Sequence, residues 1–422
     1  MQQHLRRGPL FWIALWVLST MLSISRRPDS ILNPQFWSED GRVWYADAYN
    51  HGGLQALLIP HTGYLQTLPR LVAAGSLIAP LSVAPLIFNV CAILIQSLPV
   101  MMFCSSRFDE VIPSLWKRMV LAFLYMTTAS GTEIGANITN SQWHVAFLMF
   151  TVLIAKPPRR RAWKTFDALV LIIGGLTGPF VLILLPLYVV YALFKRKLSL
   201  LHLVTLGLPF LVQLCVVLTS ASSTRFTGDL GAGLIPLVQI LSGQVVTTTS
   251  VGIVGYFVLH SSAWGHIYLP LALFLIGAAL TALALWKGSA ELRFFILFAW
   301  ATLGAVLISP GPGTGNGVMP AWQGLAEPAT NMRYFFLPIL AWLAVLTWTL
   351  TSSTYRSAKL VSFALLALAL LVGIPLDWHE AARVNMHFQH YVAEFNKVPP
   401  GTAFNFPQNP PTWKAPMTLV KH

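Results

Sequence analysis

The sequence predicts an all-α polytopic integral membrane protein with about eleven transmembrane helices, in a range of roughly 10–12. Three observations carry this. Hydrophobic residues fill 55% of the 422 positions and charged ones only 10%. Apolar runs of spanning length recur to the end of the chain. Basic residues gather in short segments between those runs, so the net charge of +13 reads as membrane orientation and not as nucleic-acid binding.

The elements follow in order. Residues 9–25 (PLFWIALWVLSTMLSIS) form a first span. Arg6 and Arg7 precede it and no A-x-A-like cleavage site follows, so it reads as a retained helix with a cytoplasmic N-terminus. The next segment, 26–83, is a first outer loop. Within it Ser38 is placed to cap a short helix that Gly52 ends, with Glu39 and Asp40 in its first turn. Asp40, Trp44 and Asp47 then share one face by their i, i+4, i+7 spacing. Residues 64–80 look spanning, but counting them would turn the "KPPRRR" cluster outward. They are read as a helix on the outer interface, with Arg70 reaching to the headgroups.

Further spans are expected at 84–103, 118–130, 141–155, 166–176, 180–194, 200–219, 268–286, 291–309, 333–350 and 357–374. The clusters Lys156, Arg159, Arg160, Arg161, Lys164 and Lys195, Arg196, Lys197 mark cytoplasmic loops. In this arrangement most of the 27 Lys and Arg lie inside and most of the 14 Asp and Glu outside. By parity, 230–258 makes zero or two crossings. "GGLTGPF" at 174–180 breaks one apolar stretch into two and suits a hairpin bordering a cavity. The chain thus divides into a transmembrane domain, 1–374, and a short outer C-terminal tail, 375–422, whose prolines forbid a long helix. Segments 131–140, 310–332 and the tail are expected to form a small outer cap, with no separate soluble domain. Cys91, Cys104 and Cys215 lie in apolar runs without metal-ligand spacing.

A carboxylate at the membrane surface either complements a helix dipole or takes a proton from a hydroxyl. The segment "FWSEDG" at 36–41, just after the first span and followed by an interfacial helix, resembles the GT-C superfamily of membrane glycosyltransferases. In that superfamily an acidic pair occupies the first outer loop and a polyprenyl-phosphate-linked sugar is the donor. The resemblance covers most of the chain as architecture, but its specific motif is two residues. It implies an inverting hexosyl or pentosyl transferase acting on the outer face of a bacterial inner (plasma) membrane. Glu39 and Asp40 match the acidic pair. Asp40 is the preferred base because it shares a face with Trp44, an aromatic suited to stacking on a sugar. Glu133 resembles an extra acid of the second outer loop that orients the acceptor.

The donor phosphate calls for a cation. Arg333 in "NMRYFFLP", at the outer end of a span, is the first candidate and Arg70 the reserve. Asn137, Asn140, Gln142, Trp143 and His144 in "NITNSQWHVAF" form a polar and aromatic rim for sugar hydroxyls, with His61, Tyr64, Gln66 and Asp47 beside it. Each of these also has a plainer reading, as an interfacial anchor or a hydrogen-bonded loop residue. No cofactor is called for. A divalent metal is compatible with the acids but no ligand spacing demands one. The implied partners are the polyprenyl-phosphate sugar, a glycan, lipid or protein acceptor, and membrane lipids, with no nucleic acid. The alternatives are a transporter or flippase of lipid-linked sugars, or a polysaccharide polymerase or ligase. A transporter predicts ionisable residues deep within the spans, which this sequence nearly lacks.

Overall fold

The computed structural model describes residues 8–220, 226–311, 314, 319–411 and 415–422. Arg6 and Arg7 lie outside the described residues, as does part of 310–332. Apolar side chains on consecutive residues leave backbone groups no water to bond, so such runs close their hydrogen bonds internally as helices. Among the described residues, eight helices are long and apolar enough to cross a membrane: Pro9–Arg26, Leu81–Phe103, Leu200–Thr219, Leu234–Ala263, Tyr268–Lys287, Ala290–Ile308, Met332–Ser352 and Arg356–Leu376. The chain is a multi-pass, all-α membrane protein. Ser141–Ile154 and Phe180–Phe194 are shorter apolar helices. The spans expected at 118–130 and 166–176 are helical over Leu115–Met126 and Arg161–Gly175.

Helix Ser141–Ile154 rises only about 21 Å, short of the roughly 30 Å of a hydrocarbon core. Its length is explained by its surroundings. Nearly every side chain from Trp143 to Leu153 is buried in protein, together with those from Phe336 to Leu346. These two helices form the centre of the bundle. Helices such as Leu200–Thr219 and Arg356–Leu368 present Leu211, Leu218, Leu360 and Phe363 outward, as a lipid-facing shell does.

Leu234–Ala263 is not a straight helix. Gly252 adopts φ +77°, and Gly243 lies directly against the Tyr256 hydroxyl. On a straight helix residues 243 and 256 would stand about 20 Å apart. The chain therefore folds back at Gly252. Asp377 caps the second leg, accepting from the N–H groups of Ile253 (2.6 Å) and Val254 (3.2 Å).

Contacts between the connecting segments sort them to two ends of the bundle. At the first, Thr67 N–H donates to Leu176 O (3.1 Å), Ala321 N–H to Asp229 O (3.0 Å) and the Tyr256 hydroxyl to Ala326 O (2.6 Å). At the other, Arg107 meets Lys156 and Asp167, and Lys195 meets Glu291. The first end carries a cap and the second the exposed basic clusters.

The cap is built from the first loop and the tail together. The tail folds as helix Phe388–Lys397 followed by antiparallel strands Ala403–Phe406 and Met417–Val420. Its Phe388, Phe395, Phe406 and Leu419 share a core with Phe36, Tyr45 and Phe88. The segment 375–422 is thus an integral layer over the first loop. Helix Thr67–Ser76 spans about 15 Å, too short to cross. Its Arg70 is fully buried, which corrects the expectation that it reaches the headgroups.

One buried guanidinium fastens these layers. Arg383 donates to Gln35 O (3.0 Å), Asn89 Oδ1 (2.9 Å) and Ala136 O (2.7 Å), joining the tail to the first loop, a spanning helix and the second loop. Arg383→Met strips all three acceptors and should cost at least about 3 kcal/mol. The expected result is a lowered thermal midpoint in detergent and early proteolysis beyond residue 377. A wild-type midpoint in the variant would show that the cap holds without it.

Candidate functional site

The "FWSEDG" segment is fixed from both sides. Phe36 packs edge-on against Phe88 and Phe388. Ser38 N–H donates to Asn409 O of the tail (2.7 Å). A Cβ on Gly41 would stand 2.8 Å from the Gln408 side chain and 3.1 Å from Phe36, so a larger residue there would have to displace Gln408. Ser38 lies in the left-handed region, φ 55°, and its hydroxyl bonds Glu39, so it does not cap the following helix as its sequence position suggests. The chain instead opens with a wide π turn, Asp40–Tyr45, before helix Ala46–His51, which ends at Gly52 with φ +91°.

Asp40 is the preferred base of the sequence reading, and its environment argues against that role. It is 0% exposed. Its carboxylate accepts from Thr139 N–H (2.8 Å), the Thr139 hydroxyl (2.7 Å) and Ile138 N–H (3.4 Å). Burial pushes it up to about 6, against the pull of the Thr139 hydroxyl and the Arg383 charge. Trp44 Nε1 donates to the same Thr139 hydroxyl (2.9 Å), so Asp40 and Trp44 do share a face, but that face is a joint with the second loop. Trp44 is 1% exposed and offers no open ring for a sugar.

Glu39, one residue earlier, is half-buried. His61 lies near it. Burial pushes the His61 imidazole down, and Glu39 is the strongest charge opposing that, with Arg70 and Arg42 adding to it. His61 and Tyr64 sit on a tight turn closed by His61 N–H to Tyr64 O (2.9 Å), with Thr62 and Gly63 both at positive φ. The His61 ring meets Trp44 edge-on at 5.0 Å. Arg70 stacks over the other side of this cluster, 5.0 Å from the Trp44 ring, and pairs with Asp47 at 3.0 Å. Its Nε and Nη2 have no hydrogen-bond partner among the described residues. Arg70 therefore positions Asp47 and Trp44 and is withdrawn from the surface, which removes it as the reserve phosphate ligand.

Gln66 donates to Gln142 Oε1 (3.2 Å), and Gln142 abuts Gly178 of the "GGLTGPF" turn. Buried Gln213 ties this corner with bonds to Leu65 and to Gly178 O. The turn thus borders the polar rim, beside half-buried Gln142.

A second charged pair joins the second loop to the start of helix Phe336–Ser352. Glu133 is bound by Arg333, through its guanidinium and through Arg333 N–H (2.9 Å). Arg333 also donates to the Tyr334 hydroxyl (3.3 Å). Both partners keep some exposure, 28% for Arg333 and 19% for Glu133. Glu133 is the counter-ion of Arg333, not an unengaged acceptor-orienting acid. Asn137 and Asn140 are fasteners. Both donate to Glu133 O, at 2.7 and 3.1 Å, and both are buried. Trp143 is buried between Phe180 and Tyr334. His144 is also buried, bonded through Nδ1 to the Tyr125 hydroxyl (2.8 Å) and packed on Phe336. These four are turned away from the rim expected at 137–144, while their neighbour Gln142 keeps some exposure.

Several residues that organise the site were missed: Thr139, Arg383 and the cluster of Arg26 and Arg27 with Glu380 (2.8 Å from Arg27). Two arginines at the non-basic end of the first helix, against the charge rule, were the available signal. Among the described residues no group of three or more His, Cys, Asp or Glu is placed to hold a metal ion. Compared with family models, curated proteins and solved structures, the chain matches none of them. The chemistry is therefore argued from its own residues.

The Asp40 environment has a pH consequence. A carboxyl whose folded pKa, about 6, exceeds its ordinary 3.8 stabilises the fold fully below pH 3.8 and loses that contribution as pH rises through 6. The difference is on the order of 3 kcal/mol. Asp40→Asn should flatten the fall in thermal midpoint across this window in detergent. An unchanged slope would place the titration on another group.

Proposed function

We propose that the protein is a membrane glycosyltransferase that moves a sugar from a polyprenyl-phosphate donor to an acceptor on the outer face, with Glu39 as general base. The observation that carries this is the contrast within the acidic pair. Asp40 is sealed and bonded, while Glu39 is half-buried beside His61 on a loop that Asp40 and Arg383 hold rigid. Such a carboxylate is positioned to accept a proton from an entering hydroxyl. In the proposed step the acceptor O–H gives its proton to Glu39 and its oxygen attacks the anomeric carbon. The bond from that carbon to the phosphate oxygen breaks, and the phosphate leaves with the electron pair. His61, neutral near pH 7 by its burial, donates or accepts a hydrogen bond to the sugar.

Arg333 supplies the cation for the leaving phosphate, exchanging its contact with Glu133 for the donor. A phosphate can offer two oxygens, as Glu133 does to the Arg333 guanidinium and backbone N–H. The GT-C arrangement and eleven crossings belong to this reading. The folded-back segment 234–263 then returns to its own side, and the cap end lies outside the cell.

Glu39→Gln should abolish transfer in the purified protein while leaving folding and donor binding close to wild type. Asp40→Asn should keep much of the activity it retains as a folded protein. Full activity in Glu39→Gln would falsify the base assignment. Arg333→Ala should lose donor affinity severely and Arg333→Lys only in part, read as turnover per folded molecule at saturating acceptor. For orientation, Gln55→Cys and Ala162→Cys, each in a Cys215→Ala background, should label oppositely with an impermeant thiol reagent. Equal labelling removes the outward placement of the cap.

A further inference from the structure

The basic end carries a feature that sugar transfer does not use. Two loops, 156–164 and 195–199, stand side by side there. The first is locked by Arg107, whose guanidinium grips Asp167 at 2.6 and 2.7 Å and whose Nε donates to Lys156 O (2.9 Å). Trp163 of the same segment lies against that guanidinium, at 5.1 Å. The second loop is locked by Lys195, paired with Glu291 at 2.8 Å. It is also held by the end of helix Phe180–Phe194. Arg196 N–H donates there to Leu193 O (3.1 Å) and Lys197 N–H to Ala192 O (2.9 Å). Arg196 sits at φ 52°, in the helix-ending position where glycine is the ordinary choice. Asp167 and His202, on the helices behind the two loops, lie 4.0 Å apart.

The acids at this end are already taken. Asp109 pairs with Arg118, Glu110 with Lys156, Asp167 with Arg107 and Glu291 with Lys195. Arg159, Arg160, Arg161, Lys164, Arg196 and Lys197 remain exposed. The two loops converge, since Lys156 first, and then Lys197 and Arg159 from opposite loops, hold the Glu110 carboxyl below its usual range. Directly beside these cations the surface turns apolar, with Phe194 71%, Leu193 61% and Leu200 76% exposed.

We propose that the two basic loops form a binding site for the headgroup of an anionic phospholipid, with its acyl chains along Leu193, Phe194 and Leu200. A soluble anion would satisfy the cations but leave the apolar strip unused. A zwitterionic lipid would cover the strip but not the charge. Cations on two separate loops favour a headgroup with two phosphates over one, and rigid loops hold the site ready before the lipid arrives.

The test uses the full-length protein in neutral detergent, titrated with diphosphatidylglycerol, phosphatidylglycerol, phosphatidylcholine or soluble polyphosphate. Binding is read by native mass spectrometry and by thermal midpoint. The expected result is retained diphosphatidylglycerol and a raised midpoint, weaker for phosphatidylglycerol, absent for phosphatidylcholine and reduced by salt. Arg159→Gln/Arg160→Gln/Arg196→Gln/Lys197→Gln should weaken that binding by at least about tenfold, with an unchanged midpoint in phosphatidylcholine. If that variant does not fold, Arg159→Gln/Lys197→Gln should show the same trend. Equal stabilisation by phosphatidylcholine, equal binding by polyphosphate, or undiminished lipid binding in the folded variant would each overturn the proposal.

Discussion

The cap depends on one buried cation. Arg383 is 5% exposed, and its guanidinium is shared among the first loop, a spanning helix and the second loop. Burial pushes its pKa down, and Arg27 pushes the same way, while Asp40, Asp29 and Glu380 hold it charged. A guanidinium suits this place because its planar fork satisfies several carbonyls at once and hardly ever loses its proton. Without it, the backbone oxygens of Gln35 and Ala136 would lie buried and unpaired, so the layers could not close on one another.

The same constraint explains why neighbouring carboxylates differ so much. Closing the cap over the first loop forces Asp40 into the joint, where Thr139 and Ile138 supply the hydrogen bonds that water would otherwise give. Glu39, on the adjoining side of the turn, keeps contact with solvent. Burying one carboxylate is costly, and the cost is tolerated because it makes a rigid floor under the other. Buried Arg70 pairs with part-exposed Asp47 from a neighbouring helix and steadies Trp44 against His61.

The two ends of the bundle use charge in opposite ways. At the cap end, Arg26, Arg27 and Arg383 are buried and consumed in holding backbone, and buried Arg70 in holding the Asp47 side chain. At the basic end, buried pairs such as Arg107 with Asp167 only brace the loops, and the remaining cations stay exposed. Composition registers both as positive charge. Burial separates a structural role from a surface available to a partner.

The sequence by itself determined the membrane class, the position of seven of the eight helices long enough to cross among the described residues, and the loop that carries the acidic pair. These follow from local hydrophobicity and from charges that lie close together in the chain. The parity set by the basic clusters required zero or two crossings of 230–258, and only the structure put the turn at Gly252. What the sequence did not determine was which of Glu39 and Asp40 faces solvent, or that Asn137, Asn140 and His144 turn inward. Adjacent residues on a helical turn point about 100° apart, so a small rotation exchanges their surroundings. That rotation is decided by Thr139 and Arg383, which are remote in sequence from the acidic pair and meet it only when the tail closes over the first loop.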